Sequence, residues 1–173
     1  RNTVDKAKNI YEDSPEWLEQ NMRSTRNFIR KWGHFVKHDS LMKPVIDPKY
    51  DIGFIIKNCN SKILEILEPW CSTCYIDQGN VPTLVQNYID KEQPNTSIDL
   101  YQRVKPYDNE KNNEILVKID GSDFDEQDFN IVQQLSAIIK DSGQVGEFQL
   151  GNVFITIVQF NEYQNELIFC PKL

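Results

Sequence analysis

Residues 51–77 read DIGFIIKNCNSKILEILEPWCSTCYID, and their pattern decides the fold class. Ile52-Gly53-Phe54-Ile55-Ile56 is a short continuous apolar run, as expected of a strand buried on both faces. Asn60-Ser61 can cap a helix that runs to about Glu68, and Pro69 closes it because proline cannot donate the next backbone hydrogen bond. Residues 72–77 form a second strand pattern, and a helix pattern follows over 81–91. Strand, helix, strand and helix with short connections predict a parallel βαβα unit over residues 50–92.

Toward the C-terminus, residues 93–113 shift to Pro, Asn, Asp and Lys, the composition of a linker or long surface loop and the best place for a domain boundary. Beyond it, residues 114–119 read as a strand. Residues 126–140 read as a helix with apolar Phe129, Val132, Leu135 and Ile139. Two further strands, 148–150 and 153–158, flank Gly151-Asn152, a pair suited to a tight hairpin turn, and 166–170 can add a last strand. The second half, 114–173, is thus a mixed βαββ(β) unit with an antiparallel hairpin. The expected class is α/β: N-terminal helices over 1–49, then the parallel unit, then the mixed one. Residues 50–173 as a single domain is the alternative to two.

Toward the N-terminus the signals are helical. Ser14 suits an N-cap, Pro15 the first helical position, and Gly33 a left-handed C-terminal residue. Between them Leu18, Met22, Thr25, Ile29 and Trp32 recur at steps of four and three, one apolar stripe. Arg23, Arg26 and Arg30, with Lys31 and Lys37 beyond, form a basic stripe opposite. Such a stripe is either a solvated face or a surface for an anionic membrane or an acidic neighbouring domain. Pro44 and Pro48 end helical structure and imply an extended segment.

The 173 residues carry a net charge of −7, with 39% hydrophobic and 11% aromatic side chains, a globular composition. Charge is uneven. Residues 1–50 hold ten Lys or Arg against seven Asp or Glu, and residues 51–173 hold nine against nineteen. The acidic majority excludes the broad basic footprint of a nucleic-acid binder. Four cysteines in a chain this size do not make a disulfide framework, so a reducing, cytoplasmic setting is expected. The polar start at Arg1 carries no signal-peptide pattern and is expected of a processed product or a fragment.

Five constellations could carry chemistry. Cys71 and Cys74 have the CxxC spacing but follow a helix, whereas a redox pair needs its first thiol at a helix N-terminus. His34 and His38 would share a helical face if the helix continued, but Phe35 stands where a zinc protease needs its glutamate. In Asp120-Gly121-Ser122-Asp123-Phe124-Asp125, carboxylates could hold Mg²⁺ or Mn²⁺, or merely form a turn and helix cap. Asn58, Asn60, Ser61 and Lys62 join the first strand to its helix, where doubly wound folds hold anions on free N–H groups. Asp77, ending the second strand, could accept from a ribose hydroxyl; a structural cap explains each of these residues without a ligand. The basic stripe is the fifth.

One stretch carries a family likeness. Phe28-Ile29-Arg30-Lys31-Trp32-Gly33, then His38-Asp39, then Pro44, resembles the end of the catalytic domain of family-2 (GT-A type) glycosyltransferases, and the helix before it suits that position. The likeness covers about residues 14–48. His34 stands where a second Gly is common, and Asp39 where Glu is usual. The resemblance implies the C-terminal part of a nucleotide-sugar-dependent transferase in polysaccharide synthesis, with the DxD metal motif and catalytic base upstream. Mg or Mn would be the metal of such a parent enzyme, with His38 or His34 as a candidate ligand. The appended α/β region would dock the enzyme, an acceptor or a partner. Two other functions fit the residues: a non-enzymatic protein-interaction module, and a small nucleotide-binding α/β domain.

Overall fold

The computed structural model describes residues 14–163. Helix α1 (Pro15–Trp32) begins where Ser14 Oγ accepts from Trp17 N and ends at Gly33, whose φ of 81° is the left-handed conformation that glycine adopts without strain. Then follow β1 (Ile52–Lys57), α2 (Ser61–Leu67), a 3₁₀ turn (Glu68–Trp70) and β2 (Thr73–Ile76). Next come α3 (Leu84–Glu92), a 3₁₀ turn (Gln93–Asn95), α4 (Leu100–Arg103) and β3 (Val104–Pro106). The chain continues with β4 (Ile115–Asp120), α5 (Glu126–Gln133), α6 (Leu135–Ser142), β5 (Gly146–Leu150) and β6 (Val153–Ile157). The α/β class, the N-terminal helix, the parallel unit and the antiparallel hairpin are as expected. The strand expected over 166–170 lies outside the described residues.

The strands form one six-stranded sheet in the order β3-β2-β1-β4-β6-β5. The first four run parallel, and β6 is antiparallel to both of its neighbours, β4 and β5. The expected linker at 93–113 is corrected here. Ile98, Leu100 and Val104 from that stretch are buried in the core, and Val104 pairs with Cys74, so its loop is confined to the short link 96–99 and to 107–113. The polar composition that suggested a linker comes from the caps and turns between these short elements. The helix expected over 126–140 breaks at Gln134 into α5 and α6.

Side chains alternate across a strand, so each strand has two faces. Ile52, Phe54, Ile56, Cys74, Ile76, Val104, Ile115, Val117, Ile119, Val153, Ile155 and Ile157 share one core with residues of α2, α3, α5 and α6. The helices therefore lie on one face. On the other, the β3–β4 crossover is a loop rather than a helix. Its Asn113 donates to Asp51 Oδ1 at 2.7 Å and accepts from the Tyr75 hydroxyl at 2.7 Å, while Lys111 Nζ lies 5.2 Å from the centre of the Tyr75 ring. A Cβ on Gly53 would stand 2.4 Å from Asn113 Oδ1, so glycine is what lets this loop lie against β1. One cross-strand row, Lys105, Tyr75, Ile55, Lys118, Phe154 and Gln149, runs across all six strands on this face, and the loop reaches only its first half.

Helix α1 joins the body through buried charge, which corrects the expected basic surface stripe. Arg30 is fully buried and Arg26 nearly so; Arg23 stays partly exposed, paired with Glu19 at 3.2 Å. Glu68 accepts from Arg30 Nη2 at 2.6 Å and from the Tyr88 hydroxyl at 2.9 Å, and Arg103 Nε lies 2.6 Å from it. Glu92 accepts from Arg26 Nε at 2.8 Å and Arg30 Nη2 at 2.8 Å. The guanidiniums point inward because Glu68 and Glu92, on α2's end and α3, have no water to solvate them. Burial alone would push both carboxyls up; the arginine charges and hydrogen bonds outweigh it and hold them below the ordinary value of 4.5.

Replacing Arg30 by Met strands a buried carboxylate, so stability in urea denaturation should fall by about 3–5 kcal/mol. Because the folded-state values of Glu68 and Glu92 are depressed, their contribution is full above pH 4.5 and is lost as pH falls through the folded values. The wild-type melting temperature should therefore drop on acidification below that point.

Candidate functional site

Four segments meet at the carboxyl edge of the parallel strands, where the order reverses between β1 and β4. In open α/β sheets that switch point is where ligands bind. Lys57 ends β1 and pairs in register with Asp120 at the end of β4. Asn58 follows in the left-handed region at φ 47°, a conformation asparagine tolerates, and its Nδ2 donates to Asp120 Oδ1 at 2.9 Å. Gly121 N donates to Lys57 O at 2.8 Å, and a Cβ on Gly121 would stand 2.6 Å from Asn58 O. Glycine thus allows the two loops to touch.

The Asp120 carboxylate also accepts from Ser122 N at 2.9 Å and Ser122 Oγ at 2.6 Å, all on Oδ1. The Ser122 and Asn58 bonds hold its acidity strong, at about 2. The third segment is the β5–β6 turn. Asn152 N donates to Asp128 Oδ1 at 3.0 Å, and Asn152 Nδ2 to Asp128 Oδ2 at 3.1 Å and Asp123 O at 3.2 Å. Asp128 in turn closes a capping box with Asp125 at the start of α5. Burial pushes Asp128 up, but the bonds from Asn152 and Asp125 prevail and hold it below the ordinary range. Tyr107, directly after β3, supplies the fourth wall.

Together these enclose an open cavity of about 450 Å³ lined by Ile55, Lys57, Tyr107, Lys118, Ile119, Asp120, Asp123, Gln149, Asn152 and Phe154. The volume is that of a small-ligand site. Two ammonium groups and two carboxylates balance its charge. Gln149 Nε2 donates to Gly151 O at 2.8 Å, which holds the side chain at the rim.

The residues anticipated from sequence divide into two groups. Asp123 lines this cavity, and Asn58 braces its wall through Asp120. Asn60 is the α2 cap, accepting from Ile63 N at 2.9 Å, while Ser61 and Lys62 line a separate hollow beside α3 with Val81 and Lys91. Asp77 forms a turn by accepting from Gly79 N at 3.0 Å. The expected Asn58-to-Lys62 cradle is therefore split between two places, because Asn60 is spent on capping α2 and Ser61 and Lys62 line the other hollow. Asp125 is committed as a cap. His34 is buried, with Nδ1 donating to Phe35 O at 2.6 Å and Nε2 accepting from Asp47 N at 3.2 Å, so both nitrogens are occupied. His38 is exposed and distant in sequence from Asp123 and Asp125. Among the described residues no three His, Cys, Asp or Glu side chains gather to hold a metal ion.

Cys71 and Cys74 are buried thiols with Sγ atoms 3.0 Å apart, and burial pushes the Cys74 thiol well up, opposite to what a redox nucleophile needs. Sequence reasoning did not find Lys57, Tyr107, Lys118, Gln149, Asn152 or Phe154 as site residues. One signal was available: Phe154 breaks the alternation of β6 by putting an aromatic on the face away from Val153 and Ile155.

No helix among the described residues is long and apolar enough to cross a membrane. No family model, curated protein or solved structure matches the chain.

Gly151 has φ 55°, and a Cβ there would stand 2.7 Å from Asp128 Oδ1. Gly151→Ala should lower the stability by about 1–3 kcal/mol in thermal denaturation and shift the amide resonances of Asn152 and Asp128.

Proposed function

We propose that the chain is the C-terminal part of a nucleotide-sugar-dependent glycosyltransferase acting in polysaccharide synthesis, with the α/β body as an accessory unit. The observation that carries this is where apolar surface is left bare. Nine of the fourteen large exposed apolar side chains among the described residues lie between Trp17 and Ile46, the stretch that resembles the end of a GT-A catalytic domain. The rest of the described chain closes its own core, so the bare surface calls for a covering body.

That surface is built in two pieces. On α1, Leu18 and Met22 edge a groove completed by Phe35, Ile66, Trp70 and Phe129. Residues 37–45 form a tight turn in which Asp39 Oδ1 accepts from Leu41 N and Lys43 N, and Lys37 pairs with Asp47. The turn holds Leu41 and Met42 at 73% and 74% exposure. On this reading the upstream catalytic domain covers both, and His38, bridged to Pro44 on the same turn, faces its Mg²⁺ or Mn²⁺ site. The chain then works in the cytoplasm, where the free cysteines stay reduced. The same surface also suits a non-enzymatic interaction module whose cover is a separate protein.

Reading the gene upstream of the Arg1 codon separates the two. A continuous frame encoding a DxD-bearing domain is expected; an initiation site or an unrelated domain there overturns the transferase reading. In the full-frame protein, Leu41→Asp and Met42→Asp should each lower stability by roughly 1.5–3 kcal/mol, because each side chain becomes buried. In the 173-residue chain the same changes should move it by less than about 0.5 kcal/mol.

A further inference from the structure

The cavity at the sheet edge has a chemistry narrower than its position requires. Phe154 stands half exposed in the middle of the sheet's open face, flanked in register by Lys118 on β4 and Gln149 on β5. An aromatic ring there offers a flat apolar platform. Around it Gln149, Asn152, Asp123 and Lys118 supply an amide pair, a carboxylate and an ammonium. Tyr107 rises opposite, its ring capped by Lys111 at 5.0 Å.

Charge decides the ligand class. A phosphate or uronate would gain from Lys57 and Lys118 but meet the carboxylates of Asp120 and Asp123, and Asp120 is held ionised by Asn58 and Ser122. A basic ligand meets the reverse. A neutral ligand with one apolar flat face and a rim of hydroxyls satisfies every wall: the ring packs on Phe154, and the hydroxyls, each donor and acceptor, pair with amides, carboxylate and ammonium alike. That description is a pyranose.

We propose that this cavity binds an uncharged oligosaccharide, with one pyranose ring stacked on Phe154 and its hydroxyls held by Gln149, Asn152 and Asp123. Within the transferase reading, on which the identity of the ligand as acceptor or product glycan rests, the accessory unit keeps the growing chain near the catalytic domain. The site itself belongs to the described residues and needs no upstream domain to be tested.

The test is a ¹⁵N NMR titration of the 173-residue chain with neutral tetrasaccharides (cello-, malto-, chito- and β-1,3-gluco-oligosaccharides). Polygalacturonate oligomers and UDP- and GDP-sugars, with and without Mn²⁺, run alongside. Saturable shifts of the Lys118, Gln149, Asn152 and Phe154 amides with at least one neutral tetrasaccharide are expected. Phe154→Ala should weaken that binding at least tenfold and Phe154→Tyr should retain it. Phe154 is exposed, so the alanine variant keeps its fold; Gln149→Ala, at the exposed rim, gives a second check with a loss of about threefold. No shift with any neutral sugar, shifts only with the charged ligands, or affinity unchanged in Phe154→Ala each overturns the proposal. The two readings fail separately: a gene without a transferase domain leaves a glycan titration positive, and a transferase whose cavity ignores glycans leaves the upstream frame intact.

Discussion

The structure depends on Glu68, a carboxylate with no exposed surface that sits between two arginines. A single buried charge of this kind is untenable alone, and its partners come from three separate elements. Arg30 arrives on α1 and Arg103 at the end of α4, while the Tyr88 hydroxyl reaches it from α3. Arg103 also donates to the backbone carbonyls of Glu68 and Pro69. Four segments spread over more than seventy residues are therefore fixed to one point. Hydrophobic packing would tolerate sliding between them; a network of charged hydrogen bonds at 2.6–3.2 Å does not. Such a network specifies the placement of α1 more than it stabilises it, since desolvation consumes much of the gain.

That placement has a cost elsewhere. Held by Arg26 and Arg30 along one side, α1 cannot roll to bury Leu18 and Met22, and the turn after it stays clear of the body. The helix buries Ile29 of its apolar stripe in the core beside Arg26 and Arg30, while Leu18 and Met22, nearer its start, stay outside. An amphipathic helix in a closed domain buries the whole stripe. The exposed first half of the stripe is what gives the bare surface its meaning.

Much of the fold was legible from local pattern. The apolar run at 52–56, the caps at Ser14 and Asn60, and the Gly151-Asn152 turn each act over a few residues, and each stands where expected. The failures share a cause. Arg26 and Arg30 read as solvated because a charge is assumed to face water, and their partners lie some 38 to 66 residues away, beyond any local pattern. β3 was hidden because a three-residue strand ending in proline has no periodicity to detect. The site was half legible for the same reason. Asn58 and the Asp120 turn announce themselves as loop residues after a strand, whereas Lys118 and Gln149 are polar alternates that any strand carries on its outer face.

The two margins of the sheet are unlike. β3 offers three residues and stops at Pro106, which has no N–H to give, and Tyr107 N already donates to Ile76 O. At the far margin β5 presents five residues, with exposed Gly146 and Glu147 and, among the described residues, no strand beyond it. A sheet that can be extended on only one side cannot propagate head to tail. Pairing between strands of two copies is therefore open along β5 and blunted by Pro106 along β3.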